Sequence, residues 1–243
     1  MVFERFVLDR DHVVCCWRFS FFCRLCGRLN LRKVFVSYHH RLDQYYKNAL
    51  VELATQQDIF IDRSVGVGDI PDDWENQKIR RVIRDSYLRD STVTILLVGS
   101  ETKHRKHVDW ELKSSMIDGA VNKRSGILVI NLPTVSDTYY TACSPEEKAF
   151  YPFETKWISI DSRAEYERRY PKMPARIIDN LLAPNVKISV VGWNKIMQNP
   201  NMLRTVVESA GESRLRNQYD LSRTMRRNDF NPELSFGFGS VGN

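Results

Sequence analysis

From residue 32 onwards, short apolar runs alternate with stretches of helical periodicity. Four runs have the length and the β-branched content of buried strands, at residues 33–37, 58–62, 93–98 and 126–131. Residues 156–160 are predicted as a fifth strand, whereas the apolar run at 186–191 receives no role from its pattern alone.

Between these runs, apolar residues recur at spacings of three and four, which predicts helices. The predicted helices cover about 42–53, 74–87, 108–120 and 199–218, with a short helix or turn at 176–182. Strands that alternate with helices form a parallel sheet with right-handed crossovers. The pattern therefore predicts a three-layer α/β fold, flavodoxin-like, with a mainly parallel five-stranded sheet of order 2-1-3-4-5.

Three segments fall outside this alternation. In the head, residues 1–31, the apolar run is interrupted by Arg18 and Arg24, so it is too short and too charged to span a membrane. The head is either an amphipathic interfacial or packing segment, or translated sequence upstream of the real start. Residues 132–153 are a long irregular loop in which Tyr139 and Tyr140 are candidates for a lid or a stacking surface. The domain is expected to span 32–218, and a disordered tail 219–243.

Charge and cysteine content exclude several classes of function. The formal charge of +6 is concentrated in residues 1–33, and the rest of the chain holds 29 basic against 27 acidic residues, so no nucleic-acid partner is predicted. Four of the five cysteines lie in the head, and only one CxxC is present, so we predict no metal site and a reducing cytoplasmic location. No GxGxxG follows the first strand and no Walker loop occurs, so neither a dinucleotide-binding fingerprint nor a phosphate-binding loop is predicted.

Glu111 is the carboxylate most suitably placed for chemistry. It follows the strand 93–98, near the start of the next helix, and open α/β sheets bind ligands at the carboxyl ends of their strands. The alternative is structural, because acidic residues in a first helical turn interact favourably with the helix dipole.

Three segments resemble TIR domains, and more narrowly the TIR-like domains of the ThsB type from bacterial antiphage Thoeris systems. They are VFVSYHHRLD, DRSVGVGDIP, and DSTVTILLVGS followed by HVDWELKSSMIDG. The resemblance covers about residues 32–131. It implies a flavodoxin-like fold and cleavage of NAD⁺ at the nicotinamide–ribose bond. It also implies a cyclic ADP-ribose isomer as the product, which would activate a partner effector.

The resemblance also implies a set of site residues. The catalytic glutamate of the family falls on Glu111, and where the family often carries a tryptophan four residues earlier this chain has His107. Trp110 is then expected to serve packing. NAD⁺ is expected as substrate, with no resident cofactor. The segments that line the NAD⁺ pocket in the family match Ser37, Tyr38, His39, Arg63, Gly99 and Ser100.

One carboxylate is sufficient for the implied reaction. Nicotinamide leaves a cationic bond as a neutral molecule, so no general acid is required, and the ribose develops oxocarbenium character as in glycoside hydrolysis. A carboxylate beside the ribose stabilises that charge. Cyclisation further requires that water is kept out while an internal nucleophile attacks.

Two other functions compete with the enzyme. A TIR-type module without catalysis could act as a signalling adaptor that assembles through its loops. A homo-oligomer is compatible with either function. A phospho-acceptor or flavin-binding domain of the same fold is the third candidate. A phospho-acceptor needs an acidic cluster after the first strand, where this chain has Ser37 and Tyr38, which argues against it.

Overall fold

The computed structural model describes residues 31–64, 88–119, 122–135, 140–157 and 160–229. The predicted helix at 74–87, the glycine-containing loop at 65–69 and the end of the tail, 230–243, lie outside the described residues, as does the head up to residue 30. In the described part, no helix is long and apolar enough to cross a membrane.

A five-stranded parallel sheet forms the centre of the domain. Its order is β2-β1-β3-β4-β5, so the predicted flavodoxin-like order is confirmed. Every residue of β3 and β4 is buried, because helices cover both faces of the sheet. The strands are β1 Arg32–Ser37, β2 Phe60–Asp62, β3 Val93–Val98, β4 Gly126–Asn131 and β5 Ser189–Gly192.

The fifth strand is not the segment that the pattern indicated. Of the predicted strand 156–160, Trp157 forms an isolated bridge with Tyr140, whereas β5 lies at the end of the apolar run 186–191. The position beside β4 is covered on both faces, and Val190 and Val191, which are fully buried, satisfy that requirement. The fifth strand of the sheet is therefore not the predicted segment 156–160, of which residues 158 and 159 lie outside the described residues.

The helices divide into two layers. Helices α1, α6 and α7 pack on one face of the sheet through residues such as Leu50, Ile196 and Val206. Helices α2, α4 and α5 pack on the other face through residues such as Leu112 and Ile177. The described helices are α1 His40–Gln56, α2 Lys106–Met116, α3 Pro145–Ala149, α4 Arg163–Arg169, α5 Ala175–Leu182, α6 Trp193–Gln198 and α7 Pro200–Ser213, with a 3₁₀ turn at Thr102–His104.

Glycine is required where α7 approaches the sheet most closely. A Cβ atom at Gly126, the first residue of β4, would collide with the backbone carbonyl of Ala210 in α7. Backbone cannot retract as a flexible side chain can, so any larger residue at this position would push the helix away from β4.

Residues 219–229 lie across α2 and α5, although the sequence analysis predicted that they belong to a disordered tail. The Trp110 indole donates to the Arg226 carbonyl at 2.8 Å, and the Arg226 backbone N–H donates to Asp109 at 2.8 Å. Asn180 of α5 donates to the Asp220 carbonyl at 3.2 Å. The packed domain therefore extends at least to residue 229, and disorder stays a prediction for 230–243 alone.

Candidate active site

The ends of β1 and β3 meet helix α2 at the carboxyl edge of the sheet. Ser37 is the last residue of β1, and it lies beside Leu96 of β3. Glu111 is the sixth residue of α2, in the second helical turn, and Asp109 is the acidic residue of the first turn. Only 4 % of Glu111 is exposed, so it is neither a solvated nor a helix-capping residue.

Glu111 forms a close pair with Ser37. The Ser37 Oγ donates to Glu111 Oε2 at 2.6 Å, and Ser37 is fully buried. This distance lies at the short end of the range for O–H···O hydrogen bonds. Burial raises the pKa of Glu111 to about 8, while the hydrogen bond from Ser37 lowers it in part. The site therefore holds a carboxyl group that can take up or release a proton near neutral pH.

A second buried chain of hydrogen bonds fixes α2 against the sheet. Thr94 of β3 donates to the Ser115 Oγ at 2.8 Å, and Ser115 donates to the backbone carbonyl of Glu111, also at 2.8 Å. Both hydroxyl residues are buried. The backbone of Glu111 is thus anchored to β3 while its side chain is anchored to β1, which fixes the position of the carboxyl group.

The two residues after Ser37 serve structural contacts. Tyr38 is 2 % exposed, and its hydroxyl donates to Gln44 Oε1 at 2.7 Å. Burial raises the pKa of Tyr38 to about 12, and the negative charge of ionised Glu111 contributes to the rise. His39 caps α1, because its Nδ1 accepts from the Leu42 N–H at 3.3 Å. Burial and then the nearby Arg105 lower the pKa of His39, so its imidazole is neutral at pH 7.

A buried acid of α1, which the sequence analysis did not single out, packs against the turn after β3. The carboxylate of Asp43 lies so close to Gly99 that an added Cβ would stand 2.5 Å from its Oδ2. Thr102 links the two, since its hydroxyl accepts from the Gly99 N–H at 2.8 Å and lies 3.3 Å from Asp43. Burial raises the pKa of Asp43. The contact between Asp43 and Gly99 could not be predicted from the sequence, because it joins two distant parts of the chain. Ser100, the other predicted residue here, is half-buried.

The remaining predicted residues make contacts with other parts of the domain. His107 is half-buried, and its ring contacts Trp110 edge-on at 5.1 Å between centroids. Trp110 is fully buried and serves packing, as expected. Arg63 is exposed, and its backbone N–H donates to the Val34 carbonyl at 2.7 Å.

Tyr140 is a packing residue of the sheet edge. It is 5 % exposed, its backbone bridges Trp157, and its ring lies 4.3 Å from the Lys195 ammonium. These contacts do not support the expected role of Tyr140 as a lid, and Tyr139 lies outside the described residues. Within the described chain, no cluster of three or more metal-ligating side chains was found.

A parallel sheet of this order, with helices on both faces, defines a flavodoxin-like α/β domain, and a buried carboxyl group lies at its carboxyl edge. Residues 35–137 match the family model described as Thoeris protein ThsB, TIR-like domain. Residues 35–137 are therefore a TIR-like domain similar to that of Thoeris protein ThsB, and the resemblance is confirmed over these residues. A search of curated proteins found no match to the chain.

The match contains both members of the buried pair, Ser37 and Glu111. It ends at residue 137, after β4 and before α3, so β5 and the helices α3 to α7 lie beyond the match and are known from the structure alone. The segment 219–229, which contacts α2, also lies beyond the match.

Proposed function

We propose that the protein cleaves the nicotinamide–ribose bond of NAD⁺ and releases a cyclic ADP-ribose-type signal that activates a partner effector. The observation that carries this proposal is the buried Ser37–Glu111 pair at the carboxyl edge of the sheet. The family match supports it, because the pair lies inside the matched residues.

In this mechanism, Glu111 stabilises the positive charge that develops on the ribose. A pKa of about 8 means that the carboxyl group is largely protonated in the empty site at neutral pH. The cationic nicotinamide riboside would favour the ionised form once bound, because an opposite charge nearby lowers the pKa of a carboxyl group. The resulting carboxylate acts in a site of low dielectric, where one charge has a large effect on the barrier.

Ser37 is a positioning residue in this proposal. Its hydroxyl holds Oε2 at 2.6 Å and its hydrogen bond favours the ionised form of Glu111. The anchoring of the Glu111 backbone by Ser115 restricts the carboxyl group further. A carboxyl group held from two sides needs little rearrangement during the reaction, which is the condition for efficient electrostatic catalysis.

The adaptor alternative has an observation of its own. Leu42 and Tyr45 of α1 are 50 % and 75 % exposed, and residues three apart lie on the same face of a helix. A second copy or another protein could cover this face. Such a contact would be compatible with catalysis, so it does not replace the enzyme as the function that the site favours.

The test is nicotinamide release from NAD⁺ by the parent protein and by Glu111→Gln, each with and without extract of phage-infected cells. Glutamine keeps the shape of the side chain and removes the charge, so we expect a rate loss on the order of 10²–10³. Glu52→Gln, on the exposed side of α1, is the matched control and should leave the rate unchanged. A Glu111→Gln rate equal to that of an active parent would remove Glu111 from the mechanism.

The product distinguishes a cyclase from a hydrolase. A cyclic product is lighter than ADP-ribose by one water, so mass spectrometry of the same reactions separates the two. ADP-ribose alone would support NAD⁺ cleavage and contradict the cyclic signal. A parent protein that releases no nicotinamide even with infected-cell extract would favour the adaptor.

A further inference from the structure

A cavity lies at the amino end of α2, between this helix and α5. Its volume is about 370 Å³, and it is enclosed by the start of α2, the start of α5 and residues 223–227. None of the eight residues assigned to the candidate active site lines it. Its basic lining residues are Lys103, Arg105, Arg176, Arg223, Arg226 and Arg227.

Asp109 is the only acid among the described residues that line this cavity, and its charge is already engaged. Arg176 binds both of its oxygens, at 2.9 and 3.1 Å. The Arg176 side chain is fully buried, so the pair is a fixed part of the wall. Asp109 also accepts from the Arg226 backbone N–H. It therefore neutralises one arginine and has little capacity left for the others.

Ion pairs outside the lining neutralise two more of the basic groups. Arg105 pairs with Asp229 at 3.1 Å, and Arg223 pairs with Asp179. Asp179 is shared, because Arg163 binds it as well. These pairs offset the positive charges of Arg105 and Arg223.

The remaining basic groups have carbonyl partners or lie in solvent. The Lys103 ammonium donates to the Pro171 carbonyl at 2.6 Å, and the Arg226 guanidinium donates to the Lys103 carbonyl at 3.2 Å. Carbonyl oxygens satisfy the donors but leave the positive charge. Arg227 is exposed at the rim. The cavity therefore carries a surplus of positive charge contributed by Lys103, Arg226 and Arg227.

The amino end of α5, the apolar lining and the volume of the cavity are also suited to an anionic ligand. Helix α5 begins at the cavity, after Pro174, and the amino end of a helix carries partial positive charge. Helix α2 begins there as well, but its Lys106 N–H already donates to the Asp229 carboxylate at 2.6 Å. Val108 and Met225 add apolar surface. A volume of about 370 Å³ lies within the range of small-molecule sites. Surplus charge, apolar surface and this size together suit a nucleotide.

We propose that this cavity binds a phosphate-bearing small molecule of nucleotide size, at a site separate from Glu111. The phosphates would lie against Lys103, Arg226 and Arg227, and the apolar part of the ligand against Val108 and Met225. This proposal does not depend on the proposed reaction, because none of its residues belongs to the Ser37–Glu111 pair.

The test is calorimetric titration of the full chain with ADP, and separately with inorganic pyrophosphate. The test variant is the double charge reversal Lys103→Glu and Arg227→Glu, and Arg227→Glu alone is included because that side chain is exposed and its change should spare folding. Lys148→Glu, an exposed charge reversal on α3, is the matched control, and Glu111→Gln reports on the other site. Melting curves establish that each variant is folded.

We expect saturable ADP binding by the parent, with affinity reduced at least about tenfold in the double variant and severalfold in Arg227→Glu. Lys148→Glu and Glu111→Gln should bind as the parent does, and added salt should weaken binding, since opposite charges carry it. Absence of saturable ADP binding by the parent would overturn the proposal. So would undiminished binding by a folded Arg227→Glu and double variant, or loss of binding in Glu111→Gln, which would place ADP in the other site. Pyrophosphate binding alone would reduce the site to one for simple phosphates and overturn the nucleotide assignment.

Discussion

Glu111→Gln should make the protein more stable, and increasingly so as the pH rises. The pKa of Glu111 is 4.5 in the unfolded chain and about 8 in the folded protein, because the buried site disfavours the ionised form. Between these two values the folded state binds the proton and the unfolded state does not. The stability of the parent therefore falls as the pH rises through this interval.

The magnitude follows from the two pKa values. The loss of folding free energy in the parent amounts to about 2 kcal/mol at pH 6 and about 4 kcal/mol at pH 8. Glutamine resembles the protonated carboxyl group in shape and can accept the hydrogen bond from Ser37, so it avoids this loss. The stability difference between variant and parent should thus grow by roughly 2 kcal/mol from pH 6 to pH 8. For a domain of this size that corresponds to about 4–8 °C in melting temperature.

The assay is a series of melting curves for parent, Glu111→Gln and the exposed control Glu52→Gln from about pH 5.5 to 8.5. The Glu111→Gln difference should widen with pH, and the control difference should stay flat. A Glu111→Gln difference that does not change with pH would refute the reasoning, because it would mean that Glu111 ionises as it does in the unfolded chain. The same samples can be assayed for nicotinamide release, which separates loss of activity from loss of fold.

Three further substitutions test neighbouring contacts. Ser37→Ala removes the hydrogen bond that lowers the pKa of Glu111, so the pH profile of nicotinamide release should move to higher pH; an unmoved profile would contradict this. Gly99→Ala forces a Cβ against the Asp43 carboxylate and should cost about 1–3 kcal/mol of stability in denaturant unfolding, where wild-type stability would show that the turn adapts. Asp109→Ala leaves its buried arginine partner unpaired and should cost about 3–5 kcal/mol in the same measurement, and a loss below about 1 kcal/mol would mean that water reaches the arginine.

The sequence predicted the elements whose signals are local. Strands β1, β3 and β4 and the start of α7 follow from apolar runs and helical spacing, and they agree with the structure within a few residues. The fifth strand required a choice between 156–160 and 186–191, two segments of similar composition. Pairing with β4 decides between them, and that pairing is a tertiary contact that periodicity does not contain.

The sequence analysis singled out Glu111 as a candidate, but it did not predict the burial of its side chain or its hydrogen bond with Ser37. Its partner Ser37 lies 74 residues earlier, and the hydrogen bond exists only because β1 and α2 meet in the fold. The buried contact of Asp43 with Gly99 was missed for the same reason. Residue type and local spacing show where a carboxylate stands along a helix. They do not show how much water reaches it, and the access of water sets its pKa.

The helix that carries Glu111 is held by residues that the family match does not cover. Successive helix residues point about 100° apart, so Asp109, Trp110 and Glu111 face three different directions. Asp109 and Trp110 bind the segment 219–229, and the backbone N–H of Lys106 donates to Asp229 of the same segment at 2.6 Å. Glu111 alone of the three faces β1. In the proposed mechanism Glu111 acts as a preorganised charge, which requires that its helix does not shift. The match at 35–137 contains the pair and the Thr94–Ser115 contact that joins α2 to β3, and the segment 219–229 beyond the match adds further contacts to α2.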